Sequence, residues 1–362
     1  NEQAETIESG SKAAARGGFT TVVTMPNTSP AIDTSVDIAR QIERAGALGG
    51  VRLLPAGCIT KGRRGLELAD LAAMKKAGAA AFTDDGSTVA DDSLMARGMA
   101  VARTLGVPIL DHALDPALAG GGVIHKGAAS ARLGLPGIPS EAEARMVRRD
   151  VDLASRTGAA LHIQHVSARE SVELIREARS RGLRVSGEAT PHHLALCDDD
   201  VRANDANFKM SPPLRAAADR AALVAAVVDG TLQVLATDHA PHRQLDKARG
   251  FMEAPFGVIG LETAVGVTYT LLVRSGAMPV MEWLRRWTVG PAGVLGLEPP
   301  SLSPGRTADL AIMDLDTEWT VAATEFLSKS RNTPFEGRRL VGRAVFTLSR
   351  GRLTWSALQS AY

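Results

Sequence analysis

Short apolar runs alternate with longer amphipathic stretches along most of this chain, and this alternation limits the possible folds more than any other feature. The apolar runs have the length of strands, and the Ala-, Arg- and Glu-rich stretches between them have the length of helices. Apolar strands that alternate with helices are typical of a parallel sheet covered by helices. The sequence therefore predicts an α/β fold.

The number of predicted units points to a barrel. Strands are predicted at residues 20–25, 51–56, 79–83, 107–110, 160–164, 183–188 and 233–237. Helices are predicted near residues 35–46, 66–77, 92–105, 141–157, 168–181 and 215–229, and several end at a glycine: Gly78, Gly106, Gly158 and Gly182. Residues 258–298 have a mainly helical pattern. Since a closed barrel needs eight units, we predict a TIM-type (β/α)8 barrel that lacks its first strand, which we expect upstream of Asn1.

The pattern changes from Pro304 onward. GRTADLAIMDLD and LVGRAVFTLSRGRLTWS have the pattern of short strands separated by turn residues. We therefore predict a barrel over residues 1–300, followed by part of a small β-sandwich and a return segment over residues 301–362.

Composition argues against several classes of protein. A hydrophobic content of 45%, a charged content of 22% and a net charge of +1 are ordinary for a globular protein and give no indication of nucleic-acid or membrane-surface binding. No apolar run has the length of a membrane span. The two cysteines, Cys58 and Cys197, indicate neither a disulfide framework nor a zinc knuckle. We expect a cytoplasmic enzyme with a small-molecule substrate.

Polar groups that can bind a metal follow six of the seven predicted strands. They are Asn27, Asp84-Asp85, Asp111-His112, Gln164-His165, His192-His193 and Asp238-His239. Active sites of such barrels lie at the carboxyl ends of the strands. Imidazoles and carboxylates without cysteine favour zinc or another borderline divalent metal that activates water for hydrolysis. For two metals the set is about two nitrogen ligands short.

Several phrases resemble class I dihydroorotases of the metal-dependent amidohydrolase superfamily. They are GGFTTVVTMPNT, AFTDDG, HIQHVS, EATPHHL, ATDHAPH, APFGVIGLET and LSKSRNTPF, and the resemblance extends over essentially the whole chain. It implies a (β/α)8 barrel with a small β-sandwich. It also implies the reversible cyclisation of N-carbamoyl-L-aspartate to L-dihydroorotate, a step of pyrimidine biosynthesis.

The resemblance implies two zinc ions. Asp85 would bridge them, with Asp84 as the alternative. His112 and His165 would bind one zinc, and Asp238 would bind the other and serve as general base and acid. Relatives such as dihydropyrimidinases and allantoinases bridge their metals with a carboxylated lysine, which this strand end lacks.

The resemblance also implies a set of substrate contacts, namely Asn27, His242, Phe256 and Gly257. In SPPLR, Ser211 replaces the substrate-binding asparagine that the family's NPPLR motif carries. Ser211 keeps a hydroxyl donor on a shorter side chain.

One family motif is not present in the 362 residues. His-x-His-x-Arg, with two zinc ligands and a substrate-binding arginine, occurs nowhere in them, and we expect it just upstream of Asn1. Two other functions stay open: a non-catalytic subunit that scaffolds aspartate transcarbamoylase, and a cyclic amidohydrolase of another substrate class. Association with aspartate transcarbamoylase or a homodimer is expected.

The remaining polar residues have simpler interpretations. Structural support and a role behind the metal ligands are equally open for His192 and His193. We expect His125 to lie at the surface, His162 to pack in the core and His239 to make a structural hydrogen bond. Arg331 and Asn332 are expected to attach the C-terminal segment to the barrel.

Overall fold

The structure is a computed structural model that describes residues 2–202 and 205–358. Its strands are β1 Thr21–Thr24, β2 Arg52–Gly57, β3 Ala81–Phe82, β4 Ile109–Asp111, β5 Ile124–His125, β6 Gly137–Ile138, β7 Leu161–Ile163, β8 Val185–Ala189, β9 Val234–Leu235, β10 Leu310–Thr320, β11 Arg339–Ser349 and β12 Arg352–Ser356.

Helices cover most of the intervening chain. They are α1 Ile7–Arg16, α2 Ser35–Leu48, α3 Leu71–Ala77, α4 Asp92–Leu105, α5 Pro116–Ala119, α6 Ala128–Leu133, α7 Glu141–Thr157, α8 Arg169–Ser180, α9 Pro191–Ala195, α10 Ala217–Asp229, α11 Gln244–Lys247, α12 Ala264–Thr268, α13 Val280–Trp287 and α14 Val289–Val294. A π-helical turn over Tyr269–Arg274 follows α12.

Seven parallel strands form the main sheet, in the order β1-β2-β3-β4-β7-β8-β9. All seven predicted strands are therefore confirmed, with differences of a few residues at their ends. Each strand lies beside its predecessor along the chain, apart from the β5–β6 excursion. Because all crossover connections have the same handedness, the helices lie on one face of the sheet. The sheet then curves with this face outward, as the strands do in the wall of a barrel.

Local chemistry explains where the helices begin and end. Gly78, Gly106 and Gly158 adopt the left-handed conformation directly after α3, α4 and α7, as predicted for C-terminal caps. The helix predicted from residue 66 begins only at Leu71, because the Asp70 side chain accepts a hydrogen bond from the Ala73 amide as an N-cap. Leu68 instead forms an isolated bridge with Thr60.

An excursion between β4 and α7, residues 116–138, was not predicted. It contains α5, α6 and the parallel pair β5–β6. His125 lies in β5 and is buried, so the expectation of surface exposure is wrong. Its Nδ1 lies 3.3 Å from Nη1 of the buried Arg215. Arg215 also donates to the Ile138 carbonyl oxygen at 2.8 Å and to Ser167 Oγ at 3.0 Å, which attaches the excursion to the barrel.

The C-terminal strands form a separate antiparallel sheet in the order β10-β11-β12. β10 and β11 contain 11 residues each and are longer than the short strands predicted here. This sheet contacts α1, for example through the Thr347 hydroxyl, which donates to the Ala15 carbonyl at 2.7 Å. Within the described residues, none of the helices combines the length and apolar character that a bilayer crossing requires.

Candidate active site

Three of the predicted metal ligands converge at the carboxyl end of the main sheet. Asp85 follows β3, His112 follows β4 and His165 follows β7, and all three side chains are buried. His112 Nδ1 and His165 Nε2 lie 3.0 Å apart. Asp85 Oδ1 lies 3.9 Å from the first nitrogen and 3.6 Å from the second. Adjacent parallel strands β3, β4 and β7 bring these side chains together, although 80 residues separate the first from the last.

These donor separations fit a divalent metal ion. Ligand atoms about 2.0–2.2 Å from a tetrahedral zinc lie roughly 3.3–3.6 Å from one another. The three donor atoms here all lie within 4.8 Å of one another, in a buried group of two imidazoles and one carboxylate. This donor set suits zinc or a similar borderline metal. The residues present are therefore suited to hold such a metal.

The two aspartates after β3 have different environments. Asp84 accepts hydrogen bonds from the Ile59 and Thr60 amides and from the Thr60 hydroxyl, so its carboxylate is bound to the loop after β2. Asp85 faces the two histidines instead. This orientation favours Asp85 over Asp84 as the metal ligand.

Asn27 contacts the metal group directly. Its Nδ2 donates to Asp85 Oδ2 at 2.6 Å, which leaves Oδ1 to face the histidines. Oδ2 keeps a second lone pair beside this hydrogen bond, so both carboxylate oxygens of Asp85 stay available as acceptors. The sequence had placed Asn27 among the polar strand ends and, by resemblance, among the substrate contacts, but had not predicted its hydrogen bond to Asp85.

Burial and neighbouring charges separate the pKa values of the two histidines. Burial lowers the pKa of His112 to about 4, and the adjacent His165 adds to this effect. Burial also opposes a charge on His165, but the adjacent Asp85 carboxylate and the nearby Asp238 carboxylate raise its pKa to about 9. Asp85 has a lowered pKa, because its contacts with both histidines outweigh burial. The group therefore holds an ionised carboxylate next to one readily charged imidazole.

Asp238 lines the same pocket as these three residues but stands apart from their cluster of donor atoms. It follows β9 and adopts a left-handed backbone conformation with φ of 44°. Burial raises the pKa of Asp238 to about 7. A carboxyl group with a pKa near neutrality is suited to exchange protons with a reacting group.

His192 is directed at Asp238. Its Nε2 is buried and lies 3.8 Å from Asp238 Oδ2. His193, by contrast, lies between Thr190 Oγ1 at 2.8 Å and the Pro212 carbonyl oxygen at 3.0 Å. The sequence left open whether these histidines give structural support or act behind the metal ligands. The contacts indicate structural support for His193 and a position beside Asp238 for His192.

The candidate active site is a pocket of about 410 Å³. The predicted substrate contacts Asn27, Ser211, Phe256 and Gly257 line it, together with Asp85, His112, His165 and Asp238. His242 lies just behind this lining, where its Nε2 contacts the Phe256 carbonyl oxygen at 2.7 Å. Residues of the excursion, including Gly122 and Ile138, form the outer wall.

Supporting contacts confirm several simpler predictions. His239 Nδ1 accepts hydrogen bonds from the Gly260 and Leu261 amides, and its Nε2 lies 3.4 Å from Glu5 Oε2, so its role is structural. Asn332 ties the C-terminal segment to the barrel through the Ala240 and Gly257 carbonyls.

His162 is buried, as the packing prediction requires. Its contacts are nonetheless polar, with Ser186 Oγ at 2.8 Å and Glu188 Oε2 at 3.0 Å.

Comparison with known proteins identifies the family of the chain. The family model described as dihydro-orotase-like matches residues 1–171. Dihydroorotases of Pelotomaculum thermopropionicum and Brevibacillus brevis are 47% and 46% identical to the chain, over 97% and 98% of its length and 82% and 84% of theirs. The dihydroorotase of Anaeromyxobacter dehalogenans is 48% identical over 97% of this chain and 82% of its own.

Solved structures of cyclic-amide hydrolases share the fold. L-hydantoinase (dihydropyrimidinase) from Arthrobacter aurescens superposes with a TM-score of 0.86 and 27% identity, over 97% of this chain and 80% of that one. Dihydropyrimidinase from Brevibacillus agri gives a TM-score of 0.82 at 23% identity, over 98% and 80% of the two chains, which shows a common barrel fold. From the identity to the relatives over nearly its whole length, the chain belongs to the dihydroorotase family.

Proposed function

We propose that this protein catalyses the reversible cyclisation of N-carbamoyl-L-aspartate to L-dihydroorotate with zinc as its metal. The observation that carries the proposal is the convergence of Asp85, His112 and His165 in one pocket with Asp238. The identity to proteins named dihydroorotase, close to one residue in two over nearly the whole chain, supports this choice of substrate.

In the proposed site, Asp85, His112, His165 and Asp238 are the residues that would hold the zinc. Zinc, when bound, supplies an activated water and polarises the amide carbonyl of the ring. Asp238 accepts the proton of that water and delivers it to the departing amide nitrogen, or performs the reverse in cyclisation.

Polar groups at the pocket wall are proposed to hold the substrate. Asn27 has an amide donor, and Ser211 has a hydroxyl in place of the family's asparagine. His242 contacts the Phe256 carbonyl oxygen beside the pocket, and we propose it as a donor to a carboxylate of the substrate. The backbone of Phe256 and Gly257 forms the facing wall.

Two rival functions receive less support. A non-catalytic scaffold would not need Asp85, His112, His165 and Asp238 at one pocket, and all four are retained. A cyclic amidohydrolase that uses a carboxylated lysine would need a lysine at the end of β3, where this chain has Asp84 and Asp85.

The decisive experiment measures hydrolysis of L-dihydroorotate by the zinc-loaded, full-length natural protein. We expect turnover with dihydroorotate and little with hydantoin or dihydrouracil. A zinc-loaded protein that binds metal but leaves dihydroorotate unchanged would refute the proposal, and faster turnover of hydantoin would favour the other amidohydrolase class.

We also propose a division of the chain into a barrel over residues 1–300 and a sandwich portion over residues 301–362. The separate antiparallel sheet β10–β12 supports this division. The family resemblance further leads us to propose a homodimer or association with aspartate transcarbamoylase, and sedimentation of the protein alone and with aspartate transcarbamoylase tests both.

A further inference from the structure

Lys247 has an unusual environment for a lysine. It lies at the end of α11, and its side chain is buried. Its Nζ donates to three main-chain carbonyl oxygens, those of Gly257 at 2.9 Å, Pro255 at 3.0 Å and Lys209 at 3.2 Å. Three acceptors match the three donors of an ammonium group.

Those three carbonyls belong to two chain segments that line the pocket. The Lys209 segment leads directly to Ser211, and the Pro255–Gly257 segment contains Phe256 and Gly257. Lys247 itself follows the turn that carries Asp238 and His242. The side chain thus joins three parts of one pocket wall without lining the pocket.

This arrangement is costly, which argues against simple packing. Among the described residues, no carboxylate lies within ion-pair distance of Lys247 Nζ, so only carbonyl dipoles face the cation. Burial lowers the pKa of Lys247 to about 7, and the nearby Lys209 adds to this effect. An apolar side chain at the same place would avoid this desolvation cost.

The joined wall tolerates little movement at Gly257. This residue has a φ of 129°, and a side-chain Cβ there would meet Ala240 Cβ at 2.6 Å and His242 Nε2 at 2.9 Å. Its carbonyl oxygen accepts from Lys247 Nζ and Asn332 Nδ2, and its amide donates to the Lys209 carbonyl at 3.0 Å. The position of this backbone therefore depends on fixed hydrogen-bond partners.

We propose that Lys247 is a positioning residue for substrate binding, which holds the Phe256–Gly257 backbone against the Lys209–Ser211 segment. This inference rests on the proposed function, because it assigns that backbone to the substrate side of the pocket. Lys247 acts through the wall and contacts neither the metal ligands nor the reacting atoms.

The test compares K247M with wild type in the zinc-loaded full-length enzyme. K247M removes the three hydrogen bonds that hold this wall of the pocket, which should weaken binding of the substrate equally in the ground and transition states. We therefore expect KM for dihydroorotate to rise about tenfold while kcat stays within about threefold of wild type. R249M is the matched control, since Arg249 is an exposed cation on the same segment whose ion-pair partner is Glu253, four residues along the chain, at 3.6 Å. It should leave KM and kcat unchanged.

Amide hydrogen exchange gives a readout that does not depend on activity. We expect the amides of Phe256 and Gly257 to exchange faster in K247M than in wild type or R249M, whereas Pro255 has no amide hydrogen. If K247M does not fold, K247Q, which keeps two donors on a shorter side chain, should show the same changes to a smaller degree.

The two proposals fail in different ways. Wild-type enzyme without dihydroorotase activity would refute the proposed function, while the exchange comparison would still test Lys247. An active wild type, with KM and exchange unchanged in K247M or K247Q, would refute the role of Lys247 alone. A loss of about tenfold in kcat at an unchanged KM would also refute the positioning role of Lys247.

Discussion

His192 Nε2 lies 3.8 Å from Asp238 Oδ2, and within the described part of the chain it has no hydrogen-bond partner. Burial, together with the adjacent His193 and His165, holds the pKa of His192 well below its usual value, so the imidazole is neutral. A neutral imidazole that carries its proton on Nε2 donates to a carboxylate. His192 thus has the geometry to orient Asp238 after a shift of less than 1 Å.

We predict that H192A lowers kcat and leaves the zinc content unchanged. Loss of one orienting hydrogen bond to the proposed general base should cost about tenfold in kcat, equivalent to roughly 1.4 kcal/mol. Turnover and metal content, measured on the same preparation, check this. Loss of zinc in proportion to activity would show that His192 is a metal ligand and would contradict the prediction.

H193A should affect stability instead. His193 lies between Thr190 and Pro212, and its removal leaves a buried carbonyl unpaired at a cost of roughly 1–3 kcal/mol. We expect a lower melting temperature and little change in kcat. A melting temperature equal to that of wild type would contradict this structural role.

D238N tests the proton-transfer role of Asp238. The amide keeps an oxygen for the metal but cannot carry the proton, so we expect zinc to remain largely bound and turnover to fall by roughly 10²–10⁴. Metal analysis and steady-state kinetics measure the two quantities separately. Near-normal turnover would overturn the assignment of Asp238 as general base.

G257A should impair catalysis much more than G250A. Both glycines have positive φ, 129° and 88°, so both substitutions strain the backbone by roughly 1–2 kcal/mol. Only Gly257 adds close contacts, with Ala240 and His242, whereas the structure leaves open space within 4 Å of a Cβ at Gly250. We expect kcat/KM to fall at least about tenfold in G257A and stay within about twofold in G250A. Similar losses in both variants would contradict this prediction.

Lys247 should make stability depend on pH above neutrality. Its pKa is about 7 in the folded protein and about 10.4 when unfolded, so between these values the unfolded chain binds the extra proton. The free energy of unfolding contributed by Lys247 therefore rises with pH from about 7 to about 10, by up to a few kcal/mol. Urea unfolding of wild type and K247M at several pH values isolates this contribution, because other groups cancel in the difference. Parallel pH profiles would contradict it.

The sequence was sufficient for the parts of the molecule that depend on local pattern. Glycine caps and apolar runs predicted the seven strands, and the polar ends of β3, β4 and β7 predicted the convergence of Asp85, His112 and His165. The excursion was missed because its strands contain two residues each and its apolar residues pack on distant partners such as Met210 and Leu214. Periodicity cannot detect elements of that length.

The orientation of single side chains was equally hidden from the sequence. Nothing in PHH distinguishes His192, which faces Asp238, from His193, which faces the Pro212 carbonyl, because that difference arises from the turn into α9. Lys247 and Arg215 were not singled out, since their acceptors lie in segments far along the chain. The acceptors of Lys247 are backbone carbonyls, which every residue has, so no pattern of residue types in the sequence could reveal them.

Arg215 attaches the excursion through the main-chain carbonyl of Ile138, and this choice of acceptor has an evolutionary consequence. A carbonyl oxygen is present whatever residue occupies position 138, so the anchor survives exchange of the excursion's side chains. The side chain at position 138, which lines the pocket, can therefore change without loss of this anchor, while the metal ligands stay in register. The excursion is the segment to exchange among relatives when a barrel of this kind is to be redirected to bulkier ring amides.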